Sequence, residues 1–339
     1  MQTTHVVDLR PDGQAPKPRP VRGVPSLSDR LFRRGSGLSG LLVLAIMAAV
    51  GLFLAIQAAQ ALRTTGASFL TTAEWQPDRG RFGIAAVLTG TISIALVAVA
   101  FSFPIASGTA LFISEIAPPR VKKAFIAMVD LMAAVPSVVF GLWGLYFLQD
   151  QVIGLSRWLS IWLGWIPIFK VTGADPTNPL ASESVYTAST FIAGIVVGLM
   201  VMPIQCSVMR EVFSQAPAGE REGAFALGAT RWGMVRAVVL PFGRGGMIGG
   251  TMLGLGRAMG ETIAVLLIIS PRFEITSHVL EAGSNSVSSL IALLYSESSD
   301  FGLSALFAAG LALFCLTLAI NFTASAFVAR SRSGATSEG

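Results

Sequence analysis

Charged residues are scarce in this 339-residue sequence: they make up only 13%, about half the usual share of a soluble domain. Hydrophobic residues make up 53%, and the mean hydropathy is +0.68. Several apolar runs continue for about 20 residues, the length that a helix needs to cross a bilayer. The composition therefore excludes an ordinary soluble domain and predicts a helical protein that crosses the membrane several times.

Cysteine and histidine are also scarce, with two of each. Cys206 and Cys315 both fall inside apolar runs, where we expect buried thiols that pack as small hydrophobic side chains. His5 and His278 stand in separate polar segments, so no cluster of metal ligands is predicted. The phosphate-binding sequence Gly-x-x-x-x-Gly-Lys-Ser/Thr is missing as well. We therefore predict no metal, no cofactor and no nucleotide hydrolysis in this chain.

Six apolar runs predict an all-α membrane protein with six transmembrane helices. The helices are expected at about 38–62, 84–113, 124–148, 187–212, 245–269 and 303–328. Residues 1–36 are basic and rich in proline, which predicts a disordered tail, and residues 331–339 are expected to form a second, short tail. Trp158, Trp162 and Trp165 share one helical face, which predicts a short helix in the aromatic belt of the membrane interface.

The basic residues predict an orientation for these helices. Of the 24 lysines and arginines, 17 fall in the two tails, the turn at 120–123 and the segment 210–244, whereas six fall in the other loops. Lysine and arginine collect on the cytoplasmic side of membrane proteins. Both termini and the segment 214–243 are therefore expected in the cytoplasm. These cytoplasmic basic residues account for the net charge of +5, so the charge does not indicate a nucleic-acid partner.

A charged segment between the fourth and fifth predicted membrane helices carries the signals of a helical hairpin. Residues 218–227 and 231–239 are expected to be helical. Gly228 stands where a helix ends in a left-handed turn that glycine adopts without strain. Thr230 is a candidate N-cap for the second helix, and Pro241 is expected to prevent that helix from continuing unbroken.

Arg257 lies near the centre of the fifth predicted helix, where an arginine costs about 3 kcal/mol or more unless it is paired or hydrated. Glu261 follows one turn later and could pair with it, but arginine before glutamate is the less favourable order for such a pair. We therefore favour a transport path in which Arg257 attracts an anion and Glu261 holds its geometry and moderates its field. The alternative is an ion pair that joins this helix to its neighbours. Asp130, in the third helix, is a weaker candidate for the path.

Glycines dominate the face of the fifth helix that carries the two charges. A glycine surface lets another helix approach closely or leaves open space beside it. At about 100° per residue, six glycines fall in the same arc as Arg257 and Glu261. They are Gly246, Gly249, Gly250, Gly254, Gly256 and Gly260.

The hairpin resembles the EAA loop of ABC-importer permeases. That loop has a glutamate–alanine start, a glycine four residues after the alanine, and a closing hydrophobic-x-Leu-Pro. The resemblance implies a coupling helix seated in a groove of a separate ATPase subunit; the alternative is an ordinary amphipathic hairpin. Gly223 departs from the pattern, which has alanine there. The residues that carry the match are Glu222, Gly223, Ala224, Gly228, Val238, Leu240 and Pro241.

Other segments resemble the PstC-type permeases of bacterial phosphate importers. They occur in order from about residue 66 and include FLTTAEWQPD, SGTALFISEIAP, AVPSVVFG and GLGRAMGET. Arg257 and Glu261 match the intramembrane charged pair of that family. The resemblance implies the type I ABC importer fold in the bacterial cytoplasmic membrane. It also implies a heterodimer with a PstA-type permease, two copies of a PstB-type ATPase that binds ATP and Mg²⁺, and a PstS-type phosphate-binding protein, periplasmic or extracellular.

Several alternatives stay open. The hairpin also suits a permease for another oxyanion, such as molybdate or sulfate, or for amino acids. An anion channel or a secondary transporter would need no ATPase, but secondary transporters usually contain two repeated halves, and no such repeat is visible. A second role in phosphate signalling is compatible with the sequence. A membrane-embedded enzyme is the weakest alternative, because no nucleophile–base arrangement is visible.

Overall fold

In the computed structural model, residues 27–178 and 181–332 are described. This part of the chain contains six helices that are long and apolar enough to cross a membrane. The prediction of an all-α membrane protein with six transmembrane helices is confirmed. The six spans are 27–70, 85–116, 137–163, 190–214, 231–259 and 300–326.

The first helix, α1 (Leu27–Thr65), begins earlier than the sequence predicts. Residues 27–36, which we expected in a disordered tail, are helical, while the rest of that predicted tail lies outside the described residues. The chain divides into two compact units, residues 1–50 and 51–339. In the first unit the described residues are all helical, and their described side chains are exposed.

The second span is α2 (Ala85–Leu111), which continues into a π-helical turn at Phe112–Ile116. Pro104 lies inside α2 without ending it. Between α1 and α2 a short antiparallel hairpin pairs Trp75 with Phe82. The span ends before Pro118 and Pro119, as the sequence predicts.

The third helix, predicted at 124–148 with a kink at 136–141, is wrong as one continuous element. The structure has α3 (Pro119–Ala134), and a separate rod begins at Ser137. Val135 adopts an extended conformation, with ψ 128°, because the proline ring of Pro136 disfavours a helical residue before it. The break therefore detaches α3 from the spanning helix.

The separate rod is the third membrane span. It comprises α4 (Ser137–Trp143), a π-helical turn at Gly144–Leu148 and α5 (Gln149–Leu163). The tryptophan-bearing segment is thus the end of a spanning rod rather than an independent interfacial helix. Its helical bonding joins Gly144 to Gln149 without interruption, which the short apolar run at 157–169 did not reveal. Trp158, Trp162 and Trp165 are all exposed.

The remaining helices follow α6 (Thr190–Ser214), the most buried span. They are α7 (Ala218–Ala226), α8 (Arg231–Met234), α9 (Leu240–Met259), α10 (Ile263–Ile268), α11 (Val287–Leu294) and α12 (Asp300–Arg332). A core cluster joins α6 to α2, α9 and α10 through residues such as Ile94, Val196, Met200, Met259 and Val265. Helix α11 interrupts the segment 270–301, which we expected to be a loop.

The two cysteines differ in their surroundings. Cys206 on α6 is buried, as expected, and packs in the cluster that contains Met209 and Phe213. Cys315 on α12 is exposed, so the expectation of a buried thiol is wrong there. Apolar sequence alone does not distinguish the two faces of a membrane helix, because lipid and protein interior select the same side chains.

Candidate functional site

The hairpin at 214–243 has the local structure that its sequence predicts. Gly228 adopts φ +83°, in the left-handed region, and its amide donates to the carbonyl oxygen of Phe225 at 2.9 Å. The Thr230 hydroxyl oxygen accepts a hydrogen bond from the Gly233 amide at 3.1 Å, which confirms the N-cap. Glycine and threonine thereby end α7 and start α8 within five residues.

Pro241 does not interrupt the second helix, so that prediction is wrong. A π-helical turn at Val235–Val239 connects α8 to α9, and the Leu240 amide donates to Val235 five residues earlier. The wider turn changes the hydrogen-bond register just before the residue that has no N–H to donate. One continuous helical rod therefore runs from Arg231 to Met259.

The exposed surface of the hairpin is partly apolar. Leu227 is 91% exposed and Trp232 is 63% exposed, on either side of the Gly228 turn. Sequence reasoning missed both residues, although a leucine and a tryptophan in a charged hairpin are a usable signal for a partner surface. Of the residues that match the EAA loop, Glu222, Gly223, Gly228 and Pro241 are exposed, whereas Ala224, Val238 and Leu240 are half-buried.

Arg257 lies in the last turn of α9 and is exposed. Within residues 27–178 and 181–332, its guanidinium group forms neither an ion pair nor a hydrogen bond; the ion pairs there join Arg221 to Glu115 and His278 to Glu281. The pairing of Arg257 with Glu261 that the sequence suggested is therefore not formed. The cation remains available to a ligand or to another subunit.

The pairing fails because the fifth predicted helix is broken. Helix α9 ends at Met259, and α10 begins at Ile263, so the four-residue spacing no longer places the two charges on successive turns. Glu261 stands in the break, where its Oε1 accepts from the Ala264 amide at 3.3 Å. Its main-chain carbonyl accepts from the Ser288 hydroxyl at 2.8 Å. Glu261 therefore caps α10 and connects the break to α11.

Part of the predicted glycine face is used for close helix packing. A Cβ atom on Gly246 would meet Val212 of α6, and one on Gly254 would meet the side-chain amide of Gln205. At Gly249 the same test finds open space, and at Gly256 the nearest atom is the Asn321 side-chain oxygen at 3.6 Å. Gly246 and Gly254 thus let α9 approach α6 closely, while Arg257 is exposed.

Gln205 is a polar residue that sequence reasoning missed. It is fully buried in α6, and neither of its amide atoms has a hydrogen-bond partner in the described part of the chain. A lone amide in an otherwise apolar membrane helix is a signal that could have drawn attention to it. The amide lies against Gly254, one turn before Arg257 on α9.

Asp130 is exposed on α3, a helix that packs against α6, and it lies outside the break that holds Glu261. The structure thus places Arg257 and Glu261 at one helix break, with the glycines along α9 before it, and it does not add Asp130 to them. No group of three histidine, cysteine, aspartate or glutamate side chains among the described residues could hold a metal ion.

Comparison with known proteins assigns this architecture to a class. Residues 107–333 match the family described as "Binding-protein-dependent transport system inner membrane component". The chain belongs to this family and is a multi-pass protein of the cytoplasmic membrane. Within this family, the chain is a non-catalytic transport subunit.

More specific relatives are permeases named PstC. The phosphate transport system permease protein PstC 2 of Mycobacterium tuberculosis is 38% identical to this chain. The alignment spans 88% of this chain and 91% of the relative. The PstC protein of Haemophilus influenzae is 35% identical over 85% of this chain and 89% of its own length. The chain therefore belongs with the PstC permeases.

Solved structures agree on the fold. A bacterial ABC transporter involved in the import of the acidic polysaccharide alginate matches with a TM-score of 0.53 at 17% identity, over 89% of this chain and 98% of that chain. The MetNI methionine ABC transporter, in an inward-facing conformation, matches with a TM-score of 0.51 at 15% identity, over 73% of this chain and 95% of that chain. At such identities the likeness concerns the fold alone.

Proposed function

We propose that this chain is the membrane-spanning permease subunit of an ATP-driven importer of inorganic phosphate, and that it forms half of the translocation path. The observation that carries the proposal is Arg257, a cation without a partner in the described part of the chain, at the junction of α9 and α10. The span 231–259 ends two residues after Arg257, and the apolar α10 follows the break, so the cation stands in an apolar stretch of the chain. Phosphate is an anion that needs a fixed cation there, and arginine offers a planar fork of donors.

The relatives support phosphate over other anions. They are named phosphate transport system permeases and match along most of the chain. Molybdate or sulfate would satisfy the same guanidinium group, since each presents oxygen atoms that accept from its fork. Competition during uptake separates these ligands.

The hairpin is proposed to dock on a separate ATPase, which binds ATP and Mg²⁺. Its exposed Leu227 and Trp232 offer apolar surface beside the exposed Glu222 and Gly228. Because α8 continues into α9 without a break, a displacement of the docked hairpin moves the helix that carries Arg257. The basic residues favour an orientation with both termini and this hairpin in the cytoplasm.

The remaining partners follow from the same proposal. A PstA-type permease would supply the other half of the path, two PstB-type ATPases would bind below, and a PstS-type protein would deliver phosphate from outside. Glu261 keeps the break after Arg257 in place through its contacts with Ala264 and Ser288. Asp130 remains a weaker candidate for the path.

The decisive experiment isolates the tagged chain from host membranes and reconstitutes what accompanies it in liposomes. We expect a second permease and an ATPase in the complex, and phosphate uptake that requires ATP and the binding protein. Uptake without ATP would support a channel or secondary transporter instead. Preferential competition by sulfate or molybdate would assign a different oxyanion, and isolation as a lone homo-oligomer would overturn the proposal.

A further inference from the structure

One arginine connects the hairpin to two membrane helices. The Nη1 atom of Arg221, on α7, lies 3.2 Å from Oε2 of Glu115 in the π-helical turn that follows α2. Its Nη2 atom donates to the carbonyl oxygen of Phe213, near the end of α6, at 2.6 Å. A single guanidinium group therefore holds the ends of α2 and α6 to the candidate coupling helix.

The side chains of this ion pair are largely shielded from solvent, although the pair lies at the end of the helical bundle. The Glu115 side chain is 4% exposed and the Arg221 side chain 23%. The second carboxylate oxygen, Oε1, and the Arg221 Nε atom have no hydrogen-bond partner in the described part of the chain. The buried carboxylate thus depends on Arg221, and separating the two leaves a buried charge without compensation.

The second contact of Arg221 reaches a residue wedged between membrane helices. Phe213 is fully buried, and its ring lies where a Cβ atom on Gly243 of α9 would be. Ala224 of α7 packs against the same cluster, which also contains Ile113 and Val239. Movement of α7 with Arg221 attached therefore acts on α2, α6 and α9 together.

The covalent routes from α7 to the membrane lead to α6 and α9 but not to α2. Residues 215–217 join α7 to α6 and the exposed turn around Gly228 joins α7 to α8, so α7 could tilt about these connections without moving α2. The Arg221 contacts remove this freedom. They place a second connection beside the continuous rod of α8 and α9.

We propose that Glu115 and Arg221 are positioning residues that transmit displacement of α7 to α2 and α6, so that nucleotide-driven movement is coupled to transport. This role rests on the proposed function. It predicts that loss of either charge leaves ATP hydrolysis in the assembled complex but lowers the phosphate transported per ATP.

The test compares Arg221→Gln, Glu115→Gln and the charge exchange Glu115→Arg with Arg221→Glu, each in the complete complex in liposomes. Arg120→Gln and Glu211→Gln are matched controls, because both side chains are exposed at the same end of the bundle. We expect phosphate transported per ATP to fall about tenfold in the two single variants. The exchange restores the ion pair but not the bond to Phe213, because a carboxylate cannot donate to a carbonyl oxygen, so it should restore part of the ratio. The controls should leave the ratio unchanged.

Three results would overturn the role. Single variants with the wild-type ratio would show that the pair does not transmit movement. Variants that assemble poorly but keep a normal ratio in the assembled fraction would show a purely structural pair. An exchange variant as uncoupled as Arg221→Gln would exclude the ion pair as the cause, because both of these variants lack the bond to Phe213. By contrast, a wild-type chain that isolates without an ATPase would overturn the proposed function itself, and this role with it.

Discussion

Arg257 and Glu261 are four positions apart, yet the structure gives them different tasks. Arg257 ends α9 as an exposed cation, whereas the carboxylate of Glu261 contacts the first turn of α10. A pair that neutralised itself would offer phosphate little net attraction. The helix break separates the charges, so the cation keeps its field while the carboxylate stabilises the break.

The first prediction concerns the charge of Arg257. In Arg257→Gln, phosphate uptake by the reconstituted complex should fall about tenfold to a hundredfold, because hydrogen bonds to a charged group are lost. Arg257→Lys should be intermediate, since it keeps the charge but not the planar fork. Uptake of labelled phosphate measures both variants, and Arg63→Gln, an exposed arginine at the end of α1, is the control. Wild-type uptake by Arg257→Gln would remove this residue from the path.

The second prediction concerns the cap that Glu261 forms. In Glu261→Ala the amides of α10 should exchange with solvent deuterium about fivefold faster, because loss of a capping side chain costs about 1 kcal/mol. Glu261→Gln should exchange more slowly than the alanine variant, since its amide oxygen can still accept from Ala264. Hydrogen exchange with mass spectrometry over 262–269 gives the comparison. Equal exchange in all three proteins would contradict the cap.

At the scale of elements, the hairpin and the broken crossing form one mechanical unit. The π-helical turn at Val235–Val239 carries the helix past Pro241, so α8 and α9 behave as one rod. The rod ends where Arg257 and the break begin. A force on the hairpin therefore arrives at the point where the proposed path contains its charge.

The third prediction concerns the turn that orients α7 on this rod. Gly228→Ala should lower the free energy of unfolding by about 1 kcal/mol, because a Cβ atom is strained at φ +83°. No atom lies within 4 Å of that Cβ, so the cost comes from backbone strain alone. Gly223→Ala is the matched control: it also has open space, but it lies inside α7 and should stabilise the protein by about 0.5 kcal/mol.

Thermal unfolding of the purified chain in detergent measures both glycine variants. In the reconstituted complex, Gly228→Ala should also weaken association with the ATPase, because the turn sets the positions of Leu227 and Trp232. A Gly228→Ala variant as stable as Gly223→Ala would exclude the left-handed turn as a requirement.

At the scale of the whole molecule, contacts between distant loops join the segments before and after α6. Glu281 accepts from both the amide and the hydroxyl group of Thr172, 109 residues away, and its second oxygen lies 2.7 Å from the His278 Nδ1 atom. Partial burial raises the pKa of Glu281, but the hydrogen bonds from Thr172 and His278 outweigh it, so the pKa lies below its ordinary value.

The fourth prediction follows from that direction. A carboxyl group with a lowered folded-state pKa stabilises the protein above its unfolded pKa of about 4.5, and the stabilisation is lost as pH falls through the folded pKa. The apparent melting temperature of wild type should therefore exceed that of Glu281→Gln at neutral pH, and the difference should shrink in acid. The nearby Glu274→Gln provides the control. A difference that stays constant down to acid pH would contradict the lowered pKa.

The sequence by itself determined the features that depend on local chemistry. Six apolar runs predicted six spans, and Gly228 and Thr230 predicted the turn and cap of the hairpin, because these signals act within a few residues. Pro118 and Pro119 correctly predicted the end of the second span. The choice of Arg257 and Glu261 as candidates also came from sequence alone, since charge is rare in an apolar helix.

Only the tertiary structure decided which groups these residues contact. The apolar sequence continues on both sides of Glu261, so the sequence concealed the break, where the Ser288 hydroxyl of α11 donates to the Glu261 carbonyl oxygen. The sequence predicts a helix end at Pro241, because the π-helical turn that carries the helix past this proline has no simple sequence signal. The contact of Arg221 with Glu115 joins residues 106 positions apart, and no local pattern records it. Local sequence preferences thus determine where helices form. Within the described part of the chain, packing determines that Arg257 is free, that Glu261 caps α10 and that Arg221 joins the hairpin to the membrane helices.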